Sequence, residues 1–152
     1  MKTSVLLYED APKYDSWLKL ILGGVLALTF ILGVIFIYRD TEASIAMFGI
    51  TLFDALLFKA ILPRRYQIFE DRLKILLGWP FVINIHFSNV LEAKPACGRK
   101  AFAYRGLRFA TSTRNIVEIV RKKGLPLVIS PANGDMFLEQ LNQALSQSLS
   151  KS

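Results

Sequence analysis

Few side chains in this chain of 152 residues could support catalysis or hold a metal ion. His86 is the only histidine and Cys97 the only cysteine, so neither a His/Cys metal cage nor a disulfide can be assembled. We interpret His86 as a surface residue on the polar face of a strand, not as a general base. No serine or cysteine has a partner histidine in a recognisable arrangement. The sequence therefore predicts a protein that is not an enzyme and uses no cofactor and no metal.

Two polar side chains stand out because long apolar runs surround them. Thr29 lies near the middle of residues 17–38, whose only charge is Lys19, and Asp54 lies near the middle of residues 43–62. A helix of 20 to 22 residues is ~30–33 Å long, enough to cross the hydrocarbon core of a bilayer. We therefore predict two transmembrane helices, 17–38 and 43–62, joined by the polar turn 39–42 as an antiparallel hairpin.

A carboxylate in the middle of a transmembrane helix is unfavourable by about 2.5–3.5 kcal/mol on an insertion scale, so it normally faces protein. Three interpretations of Asp54 remain open. It can pack within the hairpin, with its protonated form sharing a hydrogen bond with Thr29. It can contact another membrane subunit, or it can line an ion or proton path. Thr29 and Asp54 are thus the candidate residues for helix contact inside the membrane.

The charges orient this hairpin. Residues 63–152 contain fourteen basic and six acidic side chains, whereas residues 1–16 contain two basic and three acidic ones. Because basic residues accumulate on the cytoplasmic side, both termini are predicted to be cytoplasmic and the 39–42 turn external. The N-terminal segment 1–16 is a poor match to a cleaved signal peptide, so we expect a retained, multi-pass anchor in the cell membrane.

Basic clusters follow the second apolar run and recur in later turns. Juxtamembrane lysine and arginine gain about 1 kcal/mol each near an anionic leaflet, which makes these clusters candidate lipid contacts. The alternatives are the charge bias that orients the anchor and an ordinary solvated face. Nucleic-acid binding is not expected, since no aromatic stacking platform accompanies the charges. The candidate residues are Arg64, Arg65, Arg99, Lys100, Arg121, Lys122 and Lys123.

Beyond Pro63 the hydrophobic pattern changes to the period of β-strands. The last segment changes again: from Asn133 onward, apolar residues recur at helical spacing. The strands are predicted at 65–70, 72–77, 81–87, 89–94, 101–105, 107–113, 115–121 and 125–130, with 89–94 as a continuation of the strand before it. The helical stripe comprises Phe137, Leu138, Leu141, Ala144, Leu145 and Leu149.

About seven strands and one C-terminal helix behind a membrane hairpin resemble the bacterial PH-like domain family in its membrane-anchored form. The family-like stretches are Arg65–Ile68, Ile85–Val90, Asn115–Ile119 and Val128–Leu141. The resemblance covers about residues 62–150. It implies a membrane-anchored α+β protein with a seven-stranded PH-like β-barrel or sandwich, capped by its helix, and no enzymatic activity. Phosphoinositide-binding PH domains place a basic cluster around the loop between their first two strands. Here the corresponding loop, Glu70–Asp71, is short and acidic, so binding of a phosphoinositide headgroup is not expected.

The sequence thus favours a non-catalytic binding or scaffold module that holds a β domain at the inner membrane face. Its expected partners are the bilayer and either another protein, a second copy of the chain or anionic lipid. The alternative is a small accessory subunit of a larger membrane complex. In that case the hairpin, with Asp54, would be the docking surface.

Overall fold

The structure is a computed structural model that describes residues 5–96 and 105–150, apart from the side chain of Leu149. The chain divides into two compact units. The helical hairpin is Asp15–Ile61, and the β unit combines Met1–Tyr14 with Leu62–Ser152. Cys97 and most of the predicted strand 101–105 lie outside the described residues.

The helical hairpin consists of α1 (Ser16–Phe36) and α2 (Thr41–Ile61). Both helices begin and end one or two residues before the predicted spans. The start of α2 is fixed by Asp40, whose carboxylate accepts hydrogen bonds from the backbone N–H groups of Glu42 and Ala43 at 3.0 and 3.1 Å. An aspartate at this position satisfies backbone donors that have no partner within the helix.

Most side chains of the hairpin point away from its own interior. Both helices are long and apolar enough to cross a membrane. In the most apolar 18-residue stretch of each helix, only 6% is buried. A helix in the core of a soluble domain would bury most of that surface. The predicted pair of long apolar helices ahead of a β region and a C-terminal helix is therefore confirmed.

The first sheet of the β unit has the order β1-β2-β3-β4 and is antiparallel throughout. Strands β2 and β3 alternate between buried and partly exposed residues, as predicted. Arg65 pairs with Leu76 at one end of this strand pair, and Ile68 pairs with Leu73 toward the other. The strands are β1 (Leu6–Asp10), β2 (Arg65–Phe69), β3 (Arg72–Leu76) and β4 (Val82–His86).

Strand β1 was not predicted, because residues 1–16 were assigned to a segment separate from the β domain. In the structure Leu6 pairs with Phe69 and Asp10 pairs with Tyr66, so this segment forms an edge of the first sheet. The partner strand lies on the other side of the whole hairpin in sequence. A local hydrophobic pattern carries no signal for such a distant pairing.

The second sheet has the order β5-β7-β8-β6. A 3₁₀ turn at Phe87–Asn89 separates it from β4, and β6 pairs with β8 in parallel. The described residues therefore contain eight strands in two four-stranded sheets, where seven were predicted. Two of the eight were not predicted as separate strands: β1, and β5, which was predicted to continue the strand before it but belongs to the other sheet. The predicted strand 101–105 lies almost wholly outside the described residues. The strands of this sheet are β5 (Val90–Ala96), β6 (Leu107–Phe109), β7 (Ile116–Arg121) and β8 (Leu127–Ile129).

Strand β6 ends at Phe109, four residues before the predicted end at Thr113. The backbone N–H groups of Thr111 and Ser112 donate to the buried Ser130 hydroxyl at 2.8 and 3.2 Å. The Thr111 hydroxyl in turn donates to the carbonyl oxygen of Lys13 at 2.6 Å. These side-chain contacts replace ladder hydrogen bonds, which is why the strand is short.

Helix α3 (Gly134–Ser150) covers the core formed by the two sheets. Its predicted apolar stripe is confirmed where the structure describes it, since Phe137, Leu141 and Ala144 are buried and Leu138 and Leu145 pack against the core. The Phe137 ring meets the rings of Tyr8 and Tyr66 edge to face, at centroid distances of 6.2 and 6.0 Å. Aromatic pairs of this geometry join β1, β2 and α3.

Candidate membrane-contact surfaces

Thr29 has a different partner from the one considered in the sequence. Its hydroxyl donates within α1 to the carbonyl of Val25 at 3.1 Å and accepts a hydrogen bond from the Thr51 hydroxyl at 2.9 Å. Thr51 thus joins the two helices, although the sequence analysis did not single it out. Among the described residues, no hydrogen bond or ion pair involves the partly exposed carboxylate of Asp54.

The two chain segments that lead into and out of the hairpin meet inside the β unit. The hydroxyl of Tyr14 donates to the carbonyl oxygen of Pro63 at 2.5 Å. Burial raises the pKa of Tyr14, and the nearby Arg64 charge partly offsets that effect. Lys13 is also held here, because its backbone N–H donates to the Ser130 carbonyl at 2.9 Å. We call this end of the β unit the junction end.

Arg64 and Arg65 lie at the junction end, and both are exposed. The backbone N–H of Arg64 donates to the Leu76 carbonyl at 2.7 Å, and among the described residues no hydrogen bond or ion pair involves its guanidinium. Arg65 forms an ion pair with Glu9 at 2.7 Å. The hydrogen bond from Gln67 lowers the pKa of Glu9 most, burial opposes it, and the hydrogen bond and charge of Arg65 lower it further. Arg64 is therefore the better placed of the two for an external anion.

Lys122 and Lys123 lie in the exposed turn between β7 and β8. Asn89 fixes this turn, since its carbonyl accepts from the Lys122 N–H at 2.8 Å and its side-chain oxygen accepts from the Lys123 N–H at 2.9 Å. Gly124 closes the turn with a φ of +92°, a conformation that favours glycine. Arg121 has a structural role here, because its Nε donates to the Leu125 carbonyl at 2.7 Å.

The structure does not bring the Lys122–Lys123 turn together with Arg64 and Arg65. Asn89 follows Phe87, whose N–H donates to the carbonyl of Asp71 at 3.0 Å. Asp71 precedes β3, whereas Leu76, at the other end of β3, holds Arg64. The β7–β8 turn and the junction end therefore lie at opposite ends of β3, about 13 Å apart along the strand. Arg99 and Lys100, the remaining predicted lipid contacts, lie outside the described residues.

A further exposed feature at the junction end was missed in the sequence. In the sequence, Gly78-Trp79-Pro80 only separates the predicted strands 72–77 and 81–87, and Phe81 alternates in step with Ile83 and Ile85. In the structure Trp79 is 90% exposed and Phe81 52% exposed, while Ile85 is buried. A tryptophan between glycine and proline is a weak signal for an exposed aromatic turn, and the alternation that follows concealed it.

His86 is exposed, as its position on the polar face of β4 predicted. Over residues 5–96 and 105–150, no group of three His, Cys, Asp or Glu side chains could hold a metal ion. The chain matches no protein-family model, no curated protein and no solved structure. The resemblance to PH-like domains thus stays a prediction made from the sequence.

Proposed function

We propose that this protein is a non-catalytic membrane-anchored module whose hairpin holds a PH-like β unit at the cytoplasmic membrane face. The observation that carries the proposal is the placement of two exposed, apolar 21-residue helices between two segments of one folded unit. Water would be a poor solvent for that surface, whereas the hydrocarbon core of a bilayer is a good one. The cytoplasmic assignment rests on the basic residues of 63–152.

In this proposal the β unit contacts either a protein or the anionic leaflet. The β unit presents exposed cations, which favour a target that is itself anionic, whether protein or lipid. They are Arg64, Lys122 and Lys123. Electrostatic attraction to such a target weakens as salt rises, because exposed charges are screened over about 8–10 Å at physiological ionic strength.

The decisive experiment is extraction of the tagged full-length chain from its native membrane in mild detergent. Its native mass and the proteins that co-purify with it are then measured. A monomer or homo-oligomer supports the scaffold function. Trypsin cleavage of residues 63–152 from outside intact cells would overturn the cytoplasmic assignment, and release of the chain by alkaline carbonate would overturn the membrane anchor.

The alternative is an accessory subunit of a membrane complex, and Asp54 favours it. This carboxylate is partly exposed on α2, and no hydrogen bond or ion pair reaches it among the described residues. A partner helix that donates a hydrogen bond would offset the unfavourable insertion of such a group.

The Asp54→Leu variant separates the two functions. In an accessory subunit it should reduce the yield of one companion protein at fixed stoichiometry, whereas Asp54→Asn should retain part of that yield through its polar group. Asp71→Leu, which removes an exposed carboxylate from the β unit, is the matched control. An unchanged companion yield in Asp54→Leu would exclude this docking role.

A further inference from the structure

The exposed aromatic turn at the junction end forms a distinct surface. Trp79 is 90% exposed, Phe81 52% and Val82 43%, although side chains of this kind are normally covered by protein or lipid. Together with Leu76, Leu77 and Arg64 they line a shallow pocket of about 250 Å³. We call Trp79, Phe81 and Val82 the aromatic turn.

The backbone holds the aromatic turn in a defined shape. The N–H of Leu77 donates to the carbonyl of Phe81 at 3.1 Å, and the N–H of Phe81 donates to the carbonyl of Gly78 at 2.8 Å. Gly78 is buried at the base of the turn, and Trp79 stands at its tip. The exposed indole is therefore presented by a hydrogen-bonded turn.

Chain connectivity limits how far Arg64, at the base of this turn, can lie from the end of an apolar helix. Arg64 follows Ile61, the last residue of α2, by three residues, which span at most ~11 Å when fully extended. The N–H of Arg64 donates to the carbonyl of Leu76, which immediately precedes the residues of the turn. If α2 crosses a bilayer, the base of the aromatic turn lies within reach of the headgroup region at its end.

The chemistry of the surface matches that region. Tryptophan concentrates at the boundary between headgroups and acyl chains, where one part of the indole is apolar and its N–H remains solvated. Arginine beside it supplies a charge for lipid phosphate. A protein partner is the other class of molecule that could cover an exposed aromatic turn. The short covalent tether to a membrane-spanning helix favours the bilayer.

We infer that the aromatic turn is an interfacial membrane anchor, with Trp79 and Phe81 inserted at the headgroup–acyl boundary and Arg64 beside lipid phosphate. This inference rests on the proposed membrane crossing of the hairpin. Together with the two helices of the hairpin, the aromatic turn makes a third attachment to the membrane. This attachment fixes the orientation of the β unit. The junction end then faces the leaflet, and the Lys122–Lys123 turn, at the opposite end of β3, faces away from the leaflet.

The test uses fluorescence of the full chain reconstituted into vesicles of phosphatidylcholine and phosphatidylglycerol. The sequence contains two tryptophans, Trp17 and Trp79, so Trp17→Phe leaves Trp79 as the only reporter. We expect quenching of Trp79 by a nitroxide placed near the lipid headgroup, weaker quenching by one deep in the acyl chain, and several-fold protection from acrylamide. Full acrylamide access with no lipid quenching would overturn the inference.

Two matched variants make the result specific. Trp79→Phe leaves Trp17, in the first turn of α1, as a reporter of the hairpin itself. If Trp17 shows no lipid quenching, the proposed anchor fails and the inference fails with it; if Trp17 is quenched and Trp79 is not, only the inference fails. A chain with Trp17→Phe, Trp79→Phe and Leu125→Trp reports on the exposed turn at the other end of β3, where we expect acrylamide access and no lipid quenching.

Two further outcomes would also overturn the inference. Lipid quenching of Leu125→Trp equal to that of Trp79 would show that the β unit lies flat on the leaflet. Shielding of Trp79 only when a companion protein is added would assign the aromatic turn to protein docking.

Discussion

Tyr66 is the most informative single residue of the β unit. Its side chain is completely buried between the sheets and α3, and its hydroxyl donates to the carbonyl of Phe109 at 2.9 Å. The Tyr66→Phe variant keeps the ring and removes the donor. We expect it to lower the free energy of unfolding by about 1–3 kcal/mol, because the partly buried carbonyl of Phe109 loses its hydrogen bond.

For a unit of this size, about 1 kcal/mol corresponds to a decrease of roughly 4–8 °C in Tm. Near-ultraviolet circular dichroism of the full chain in detergent measures this change. Tyr38→Phe is the control, since Tyr38 is 92% exposed and its substitution should change the Tm little. Equal Tm values for the two variants would mean that the Tyr66 hydrogen bond does not stabilise the fold.

Tyr66 also predicts a response to alkaline pH. Burial raises the pKa of this tyrosine far above its ordinary value of 10.0. Above pH 10 the unfolded chain loses the phenolic proton while the folded chain keeps it, so the unfolded state binds fewer protons and stability falls as pH rises. The fall amounts to about 1.4 kcal/mol per pH unit for each tyrosine shifted in this way.

Tyr8 and Tyr14 have raised pKa values as well, so part of the alkaline loss should remain without Tyr66. The measurement is the slope of unfolding free energy against pH from 9 to 12 in wild type and Tyr66→Phe. A shallower slope in the variant is expected. Identical slopes would show that Tyr66 is equally titratable in the folded and unfolded chains.

At the scale of elements, the two helices of the hairpin meet through a buried contact at Gly33. The Ser44 hydroxyl donates to the Gly33 carbonyl at 2.8 Å, and a Cβ atom added at Gly33 would lie 3.0 Å from the ring of Phe48. A small residue is needed here for the helices to approach. We therefore expect Gly33→Ile to separate them, whereas Gly24→Ile, with no atom within 4 Å of the added Cβ, should not.

Disulfide formation can measure this separation. The hydroxyls of Thr29 and Thr51 are 2.9 Å apart, so cysteines at both positions are close enough to pair on mild oxidation once Cys97 is replaced by serine. Cross-linking should proceed in this background and with Gly24→Ile, and should fall sharply with Gly33→Ile. Efficient cross-linking in all three chains would mean that Gly33 is not needed for the hairpin contact.

At the scale of the whole molecule, the hairpin is an insertion into the β unit. Strand β1 and residues 11–14 precede the hairpin and complete the sheet and core that follow it. A chain beginning at residue 63 should therefore fail to unfold cooperatively, because it exposes the edge of β2 and loses the contact of Tyr8 with Phe137.

A linked chain is the matched comparison. The hydrogen bond between Tyr14 and Pro63 brings the two segments together, so a flexible linker of about six residues from residue 14 to residue 62 should be long enough to replace the hairpin. We expect this chain to show one cooperative thermal transition by circular dichroism. If the chain beginning at residue 63 is as stable as the linked chain, β1 is dispensable for folding.

Patterns that are local in sequence predicted most elements of the fold. The apolar runs, the alternation of β2 and β3 and the stripe of Phe137, Leu141 and Ala144 all correspond to observed helices and strands. Strand β1 and the parallel pairing of β6 with β8 were not predicted, because each depends on a partner distant in sequence. The end of β6 was misplaced for the same reason, since Ser130 supplies the competing hydrogen bonds.

The candidate surfaces likewise combine features that are local in sequence with features that depend on distant segments. The sequence by itself determined the two apolar helices, the concentration of positive charge beyond them and the scarcity of catalytic side chains, because composition and periodicity are properties of neighbouring residues. Only the tertiary structure decided that Thr29 pairs with Thr51, that Arg64 and Lys122 lie at opposite ends of β3, and that Trp79 is exposed beside Arg64. Those relations depend on strand pairing and packing between distant segments, which residue types alone do not specify.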